Sequence, residues 1–203
     1  MRVTSLRLVN FRNYPSLSLR PDAGLCVLTG ENAAGKTNVL ESLFLCSLGR
    51  SHRTMRDGEM VRSGEPFASV AVDVDTRGGP RRIETKLFPG DRKKTLIDGA
   101  PISRSGELLG CLNVVMFAPE DLSLVKEGPG ERRRFLDMAI SQLRPSYYYT
   151  LQQYNNALKQ RNALLKDGEG LDYDSLACRD EQLSVLAAAI ILARADLIER
   201  LGM

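Results

Sequence analysis

The sequence is poor in the residues that build metal sites and disulfide frameworks. It has one histidine, His52, and four cysteines among 203 residues. Cys26, Cys46, Cys111 and Cys178 lie far apart and form no C-x-x-C pair, which argues against both a zinc site and a disulfide framework. Three of them sit inside apolar runs, so the expectation is reduced, mostly buried cysteines that behave as small hydrophobes. No apolar run approaches the length of a membrane span, and the N-terminus has no signal-peptide core, so no membrane partner is expected and the cytoplasm is the default location. A large excess of one charge is also missing, since the net charge is +3. That balance alone selects no partner, but arginines cluster at Arg81-Arg82, Arg92-Lys93-Lys94 and Arg132-Arg133-Arg134, a usage that suits phosphate recognition.

What is present is an alternation of β and α signals. Val3 to Val9 and Leu17 to Leu19 read as strands broken by Asn13-Tyr14-Pro15. Pro21 to Gly24 is a turn, and Leu25 to Thr29 reads as a short buried strand. Leu40, Leu43, Phe44 and Leu48 then recur at helical spacing. Val70, Val72 and Val74 alternate, Arg77 to Pro80 turns the chain, and Ile83 to Phe88 and Thr95 to Ile97 follow as strands. Asp98-Gly99 is a hairpin signal. Asn113 to Phe117 reads as another buried strand. From about residue 130 the pattern is helical: Phe135 to Leu143 ends at Pro145, Leu151, Leu158 and Leu165 recur every seven residues with a stop at Gly168, and Leu176, Leu183, Ile190 and Leu197 repeat that spacing. The two heptad stretches predict an antiparallel pair.

Between the expected strand at Leu25 and the expected helix lies Gly30-Glu31-Asn32-Ala33-Ala34-Gly35-Lys36-Thr37, a complete G-x-x-x-x-G-K-[ST] phosphate loop. Its chemistry needs each part. Glycines allow the backbone to turn its N–H groups inward around phosphate. Lys36 reaches the β- and γ-phosphates, the Thr37 hydroxyl holds Mg²⁺, and the next helix aims its N-terminus at the anion. These eight residues are the expected ATP site.

The flanks narrow this further. Asn32 inside the loop, Asn38-Val39-Leu40-Glu41 after it, and Leu8 to Tyr14 before it resemble the ABC-type ATPase heads of the SMC and RecF group. Leu48 to Thr54, Phe117 to Leu122, Leu124 through Asp137, and Tyr147 to Leu164 are similar to the RecF family of bacterial DNA replication and recombinational repair proteins. The resemblance covers nearly the whole chain. It implies an α/β P-loop NTPase fold, an ABC-type head with a mixed β-sheet around the phosphate-loop helix, followed by an all-helical lobe. Residues 1–125 would form the N-terminal part of the ATP-binding core and 126–203 the lobe. Ala33 departs from the family's loop, which often has glycine there.

The same resemblance implies ATP with Mg²⁺ as cofactors, binding to single-stranded and duplex DNA at gaps, and help in loading recombinase during replication, repair and the SOS response to DNA damage. It further implies an ATP-dependent homodimer of the full-length protein and other recombination-mediator proteins as partners. An ABC-type head also needs an apolar strand ending in Asp with a catalytic acid, and a serine-glycine signature segment. In the family both follow the helical lobe, so the expectation is an N-terminal portion that hydrolyses ATP poorly and holds no complete catalytic set. Two other classes stand beside this reading: a P-loop phosphotransferase, and a non-hydrolysing nucleotide-dependent scaffold.

Candidates for contact with nucleotide or DNA are Arg50 and Arg53, which flank His52. Arg81, Arg82, Arg92, Lys93 and Lys94 are candidates for DNA phosphate. Glu120 and Asp121 carry two readings, a γ-phosphate sensor or a helix-capping pair after Pro119. Tyr147-Tyr148-Tyr149 is read as packing within a helical lobe rather than as a base-stacking platform.

Overall fold

The structure, a computed structural model, describes residues 1–166 and 172–202, with backbone alone at Pro119, Glu120 and Ser123. It divides into two units, Met1–Phe117 and Ala118–Met203. The expected helix stop at Gly168 lies outside the described residues.

The first unit is built on a six-stranded sheet in the order β2-β1-β3-β4-β5-β6. The strands are β1 (Arg2–Phe11), β2 (Tyr14–Leu19), β3 (Ala68–Thr76), β4 (Gly79–Leu87), β5 (Lys94–Ile97) and β6 (Ala100–Pro101). All five described pairings are antiparallel. Alternation decides which face is buried. Leu6 and Leu8 of β1, Val70, Val72 and Val74 of β3, and Ile83 and Leu87 of β4 point into the core. The opposite face is a lattice of ion pairs running Arg2–Asp75, Arg7–Asp73–Arg82 and Arg82–Glu84–Lys86. The Asp98-Gly99 turn joins β5 to β6 with both residues at positive φ (53° and 82°), as the two-residue hairpin chemistry requires. Pro15 is tolerated because β2 is an edge strand.

Helix α1 (Lys36–Leu48) lays Val39, Leu45 and Cys46 into the same core. It ends at Gly49, whose φ of 67° lets its N–H return to the Leu45 carbonyl. A 3-10 turn at Asp57–Met60 brings Met60 into the core and ties the β1–β2 turn from behind. There Arg12 N–H donates to the Met60 carbonyl at 2.8 Å, and Arg62 N–H donates to the Asn10 carbonyl at 2.8 Å.

Two sequence expectations fail in this unit. Leu25 to Thr29 and Asn113 to Phe117 both read as buried strands, yet neither belongs to a strand. Leu25 is 88% exposed and Val115 97% exposed. An apolar run becomes a buried strand only when a neighbouring strand takes its N–H and C=O groups. Among the described residues no strand pairs with either segment. The cysteines also depart from expectation: Cys46 is buried, Cys111 is intermediate, and Cys26 and Cys178 are exposed.

The second unit is helical: a 3-10 turn at Pro119–Leu122, then α2 (Ser123–Lys126), α3 (Pro129–Leu143), α4 (Pro145–Lys166) and α5 (Tyr173–Leu201). Ion pairs Arg161–Asp180 and Arg144–Asp196 set α4 and the end of α3 against α5 in opposite directions, so the antiparallel pair expected from the heptads is present. Leu183 and Ile190 of the heptad are buried. The unit's core gathers Ile140, Tyr147 and Ile190, with Leu136, Leu151, Tyr154 and Leu197 around them. At its centre Asp137 of α3 accepts both Nε and Nη2 of Arg194 at 2.9 Å and the Tyr147 hydroxyl at 2.5 Å. Tyr147 is therefore a packing residue, and burial followed by the Asp137 bond pushes its phenol well above the ordinary value. Tyr148 and Tyr149, both half-buried, meet edge to face on α4. Asp121 accepts the Ala118 N–H at 2.7 Å, as a capping residue would, while the Glu120 side chain lies outside the described residues.

Candidate nucleotide site

The eight loop residues stand together at the N-terminus of α1. Three of them have positive φ: Gly30 (141°), Ala33 (64°) and Gly35 (102°). The Ala34 N–H turns back to the Glu31 carbonyl at 3.3 Å, and the Asn38 N–H opens the helix on the Gly35 carbonyl at 2.8 Å. Lys36 folds over the loop, its ammonium donating to the Gly30 and Glu31 carbonyls, each at 2.7 Å. Thr37 is exposed in the first turn. No side chain caps α1, so its first N–H groups and its positive dipole end are left for an anion.

Gly35 is required for two reasons. Its φ suits glycine, and a Cβ there would meet Asn13 Oδ1 at 2.6 Å, Asn13 Nδ2 at 2.8 Å and Tyr14 Cε2 at 2.9 Å. The β1–β2 turn is thus pressed against the loop. Asn13 Nδ2 donates to the Ala34 carbonyl at 3.2 Å, and the Tyr14 hydroxyl approaches the same oxygen at 3.4 Å.

Behind the loop is a buried carboxylate whose partners the sequence reading did not anticipate. Glu41 is 0% exposed and lies one helical turn beyond Thr37. Arg12 grips both its oxygens, Nε at 2.9 Å and Nη2 at 2.6 Å, and the Ser51 hydroxyl donates at 2.5 Å. Arg53 Nη1 stands 3.8 Å away. Burial alone would raise this carboxyl, but hydrogen bonds from Arg12 and Ser51 and the charges of Arg12 and Arg53 outweigh it and hold it below the ordinary carboxylate value. A signal was available: a charged residue among the apolar positions of α1 demands a buried partner.

The basic candidates separate. Arg53 lies beside the loop helix, its Nη1 donating to Asn38 Oδ1 at 3.0 Å. Arg50 is intermediate in exposure, and His52 packs edge to face on Phe44. Arg81 pairs with Asp98, Arg82 with Asp73 and Lys93 with Asp57. Lys94 lies over the Phe88 ring. Arg92 has no ion pair among the described residues. These five occupy β4, the β4–β5 connection and β5, apart from the phosphate loop. Among the described residues no cluster of three His, Cys, Asp or Glu side chains forms a metal site.

A family model described as an AAA domain matches residues 5–109, a span that holds the loop, α1 and the sheet. The chain belongs to the AAA domain family. Its whole length is similar to RecF. The DNA replication and repair protein RecF of Clostridium acetobutylicum is 43% identical over all of this chain and 56% of its own length. A solved structure of the recombination mediator protein RecF with ATP, of the RecFOR pathway, is 36% identical, with a TM-score of 0.92 over 98% of this chain and 54% of its own. A solved structure from work on SMC ATPases is 20% identical, with a TM-score of 0.54 over 67% of this chain and 98% of its own, a likeness of fold alone. The architecture is therefore an α/β P-loop head followed by a helical lobe. The chain spans about half the length of the RecF relatives it matches. Among the described residues no helix is long and apolar enough to cross a membrane.

Proposed function

We propose that this chain binds ATP with Mg²⁺ on residues Gly30 to Thr37, as the nucleotide-holding part of a RecF-type protein that acts on DNA in replication and repair. The observation that carries the reading is the loop itself. Its glycines take positive φ, its lysine already seeks oxygen at 2.7 Å, and an uncapped helix end stands behind it. The likeness to a RecF protein solved with ATP supports the choice of nucleotide.

Mg²⁺ fits this donor set. The ion keeps most of its waters and takes phosphate oxygens with only one or two protein ligands, and the exposed Thr37 hydroxyl is one such ligand. Bound Mg²⁺ would neutralise charge on the phosphates. The chain's own part is to bind and orient: Lys36 pairs with phosphate, and the loop N–H groups receive oxygen. Hydrolysis by this chain is proposed to be slow; Glu41, the buried carboxylate behind the loop, is engaged by Arg12 and Ser51 and serves structure rather than water activation.

Calorimetric titration with ATP and Mg²⁺ tests the binding. Lys36→Ala should weaken it at least about tenfold, the factor for losing one bond to a charged group. Equal affinity in the two proteins would sink the assignment, and fast Lys36-dependent turnover would sink the claim of slow hydrolysis.

Action on gapped and single-stranded DNA, ATP-dependent pairing of two heads and work beside other recombination mediators belong to the same proposal, supported by the RecF likeness. For DNA the free cations should matter most. Arg92→Glu should weaken duplex binding and lower the salt slope by about one unit per phosphate contact, whereas Arg81→Glu, whose arginine is already paired with Asp98, should do less. Binding insensitive to salt would reject a phosphate interface.

A further inference from the structure

We infer that Glu41 is the positioning residue of the nucleotide site: it ties the β1–β2 turn and the Ser51–Arg53 segment to α1 so that Asn13 and Asn38 hold the phosphate loop in a ready shape before nucleotide arrives. The inference rests on the nucleotide-binding reading for its purpose, but its structural content is separable.

Three chain segments meet on this one carboxylate. Arg12 comes from the β1–β2 turn with φ of 53°, a backbone setting that a non-glycine side chain holds only when its surroundings fix it. Its guanidinium spans both Glu41 oxygens and also donates through Nη1 to the Glu59 carbonyl at 2.8 Å. Ser51 donates to Glu41 at 2.5 Å, and its oxygen in turn accepts the Arg53 and Thr54 N–H groups at 2.9 and 3.2 Å. Glu41 therefore fixes the residue before Asn13 and the start of the Arg53 segment at once.

From those two anchors a continuous path runs to the loop. Arg53 Nη1 donates to Asn38 Oδ1 at 3.0 Å, Asn38 Nδ2 donates to Asn13 Oδ1 at 2.8 Å, and Asn13 Nδ2 donates to the Ala34 carbonyl at 3.2 Å. Asn13 and Tyr14 also close over Gly35 so tightly that no Cβ fits. Glu41 touches no loop atom in this path, so its action is on placement.

Charge sets the direction. Two guanidiniums face one carboxylate, and Arg12 at 2.6 Å takes the nearer share. Arg53, about half exposed at 47%, stays only partly neutralised beside the loop helix. Removing the negative charge leaves two cations to repel each other across the buried site, which drives the turn and the Ser51–Arg53 segment apart.

The test compares the nucleotide-free chain with Glu41→Gln by amide hydrogen exchange. Residues 12–14 and 30–38 should quicken in the variant by at least about tenfold more than Val70 and Val72 in the centre of β3, whose own rise reports the stability lost with the buried pair. Unchanged loop rates, or an equal rise everywhere, overturn the inference. If Glu41→Gln does not fold, Asn13→Ala and Asn38→Ala, at exposed bonds of the path, should loosen residues 30–38 alone, and unchanged rates there overturn it equally.

Titration with ATP then separates placement from bulk stability. Glu41→Gln and Asn38→Ala should each weaken binding, and the double variant should be less affected than their product by about threefold or more, the range of coupling for residues in one network. Ser47→Ala, at the far end of α1, where its hydroxyl bonds the Leu112 carbonyl at 2.7 Å, should lower stability with no change in affinity. Additive effects, or a Ser47→Ala loss as large as that of Glu41→Gln, overturn the inference. Failure of the parent chain to bind ATP would instead defeat the nucleotide reading and leave the exchange result to stand or fall alone.

Discussion

Replacing Gly35 with alanine separates two forces that the phosphate loop combines. The first is backbone strain: at φ of 102° and ψ of 5° an L-residue pays roughly 1–2 kcal/mol. The second is overlap. The new Cβ would stand 2.6 Å from Asn13 Oδ1 and 2.9 Å from Tyr14 Cε2, so the turn must retreat. Its retreat breaks the bonds from Asn13 to the Ala34 carbonyl and from Asn38 to Asn13, at about 0.5–1 kcal/mol each in this exposed setting. The sum is about 3 kcal/mol. Gly30→Ala supplies the comparison. Gly30 also has positive φ, but its Cβ would meet nothing nearer than Ala34 Cβ at 3.9 Å, so strain acts alone, at about 1–2 kcal/mol. Ala33→Gly runs the other way. Its φ of 64° is relieved, and after the larger chain entropy of glycine the gain is about 0–1 kcal/mol. Hydrogen exchange at Val70 and Val72 under native conditions reads the stability of this unit. Equal losses for Gly35→Ala and Gly30→Ala would refute the claim that Asn13 and Tyr14 press on the loop.

Further outcomes follow from the buried charges and thiols. Asp137→Asn should destabilise the helical unit by about 2–4 kcal/mol by leaving Arg194 without its counter-charge, whereas Asp196→Asn, at solvent-screened pairs with Arg144 and Arg200, should cost far less; exchange at Ile190 measures both. Because the Glu41 carboxyl is held below its ordinary 4.5, its contribution is fully present above pH 4.5 and is lost as pH falls through the lower folded value. Acid unfolding of the first unit should therefore flatten in Glu41→Gln, and an unchanged pH profile would contradict the buried pair. Burial pushes the Cys46 thiol up to about 12, so at pH 8 a thiol reagent should label Cys26 and Cys178, both exposed, and reach Cys46 only after unfolding.

Local chemistry made much of this legible. Alternating Val70, Val72 and Val74 placed β3, Asp98-Gly99 placed its hairpin, and Leu183 and Ile190 placed the seam of α5, because each signal lies within a few residues of the structure it makes. The apolar runs Leu25 to Thr29 and Asn113 to Phe117 misled for the opposite reason. Composition marks a segment as fit for a sheet, but membership depends on a neighbour distant in sequence. The loop was legible as a pattern, while its support was not. Arg12, Glu41 and Ser51 are separated by 29 and 10 residues, and Glu41 first stood out only as part of a family resemblance. Its place on the buried side of α1 was the physical clue.

Lys36 resting on the Gly30 and Glu31 carbonyls has a kinetic consequence under the proposed function. Two of the ammonium's three N–H groups are engaged there, so the loop carbonyls and the phosphates share one cation. Nucleotide capture then turns on how readily the lysine shifts its bonds from carbonyl to phosphate oxygen. A variant that weakens the lysine's resting place while keeping its charge would speed capture without adding any contact to ATP.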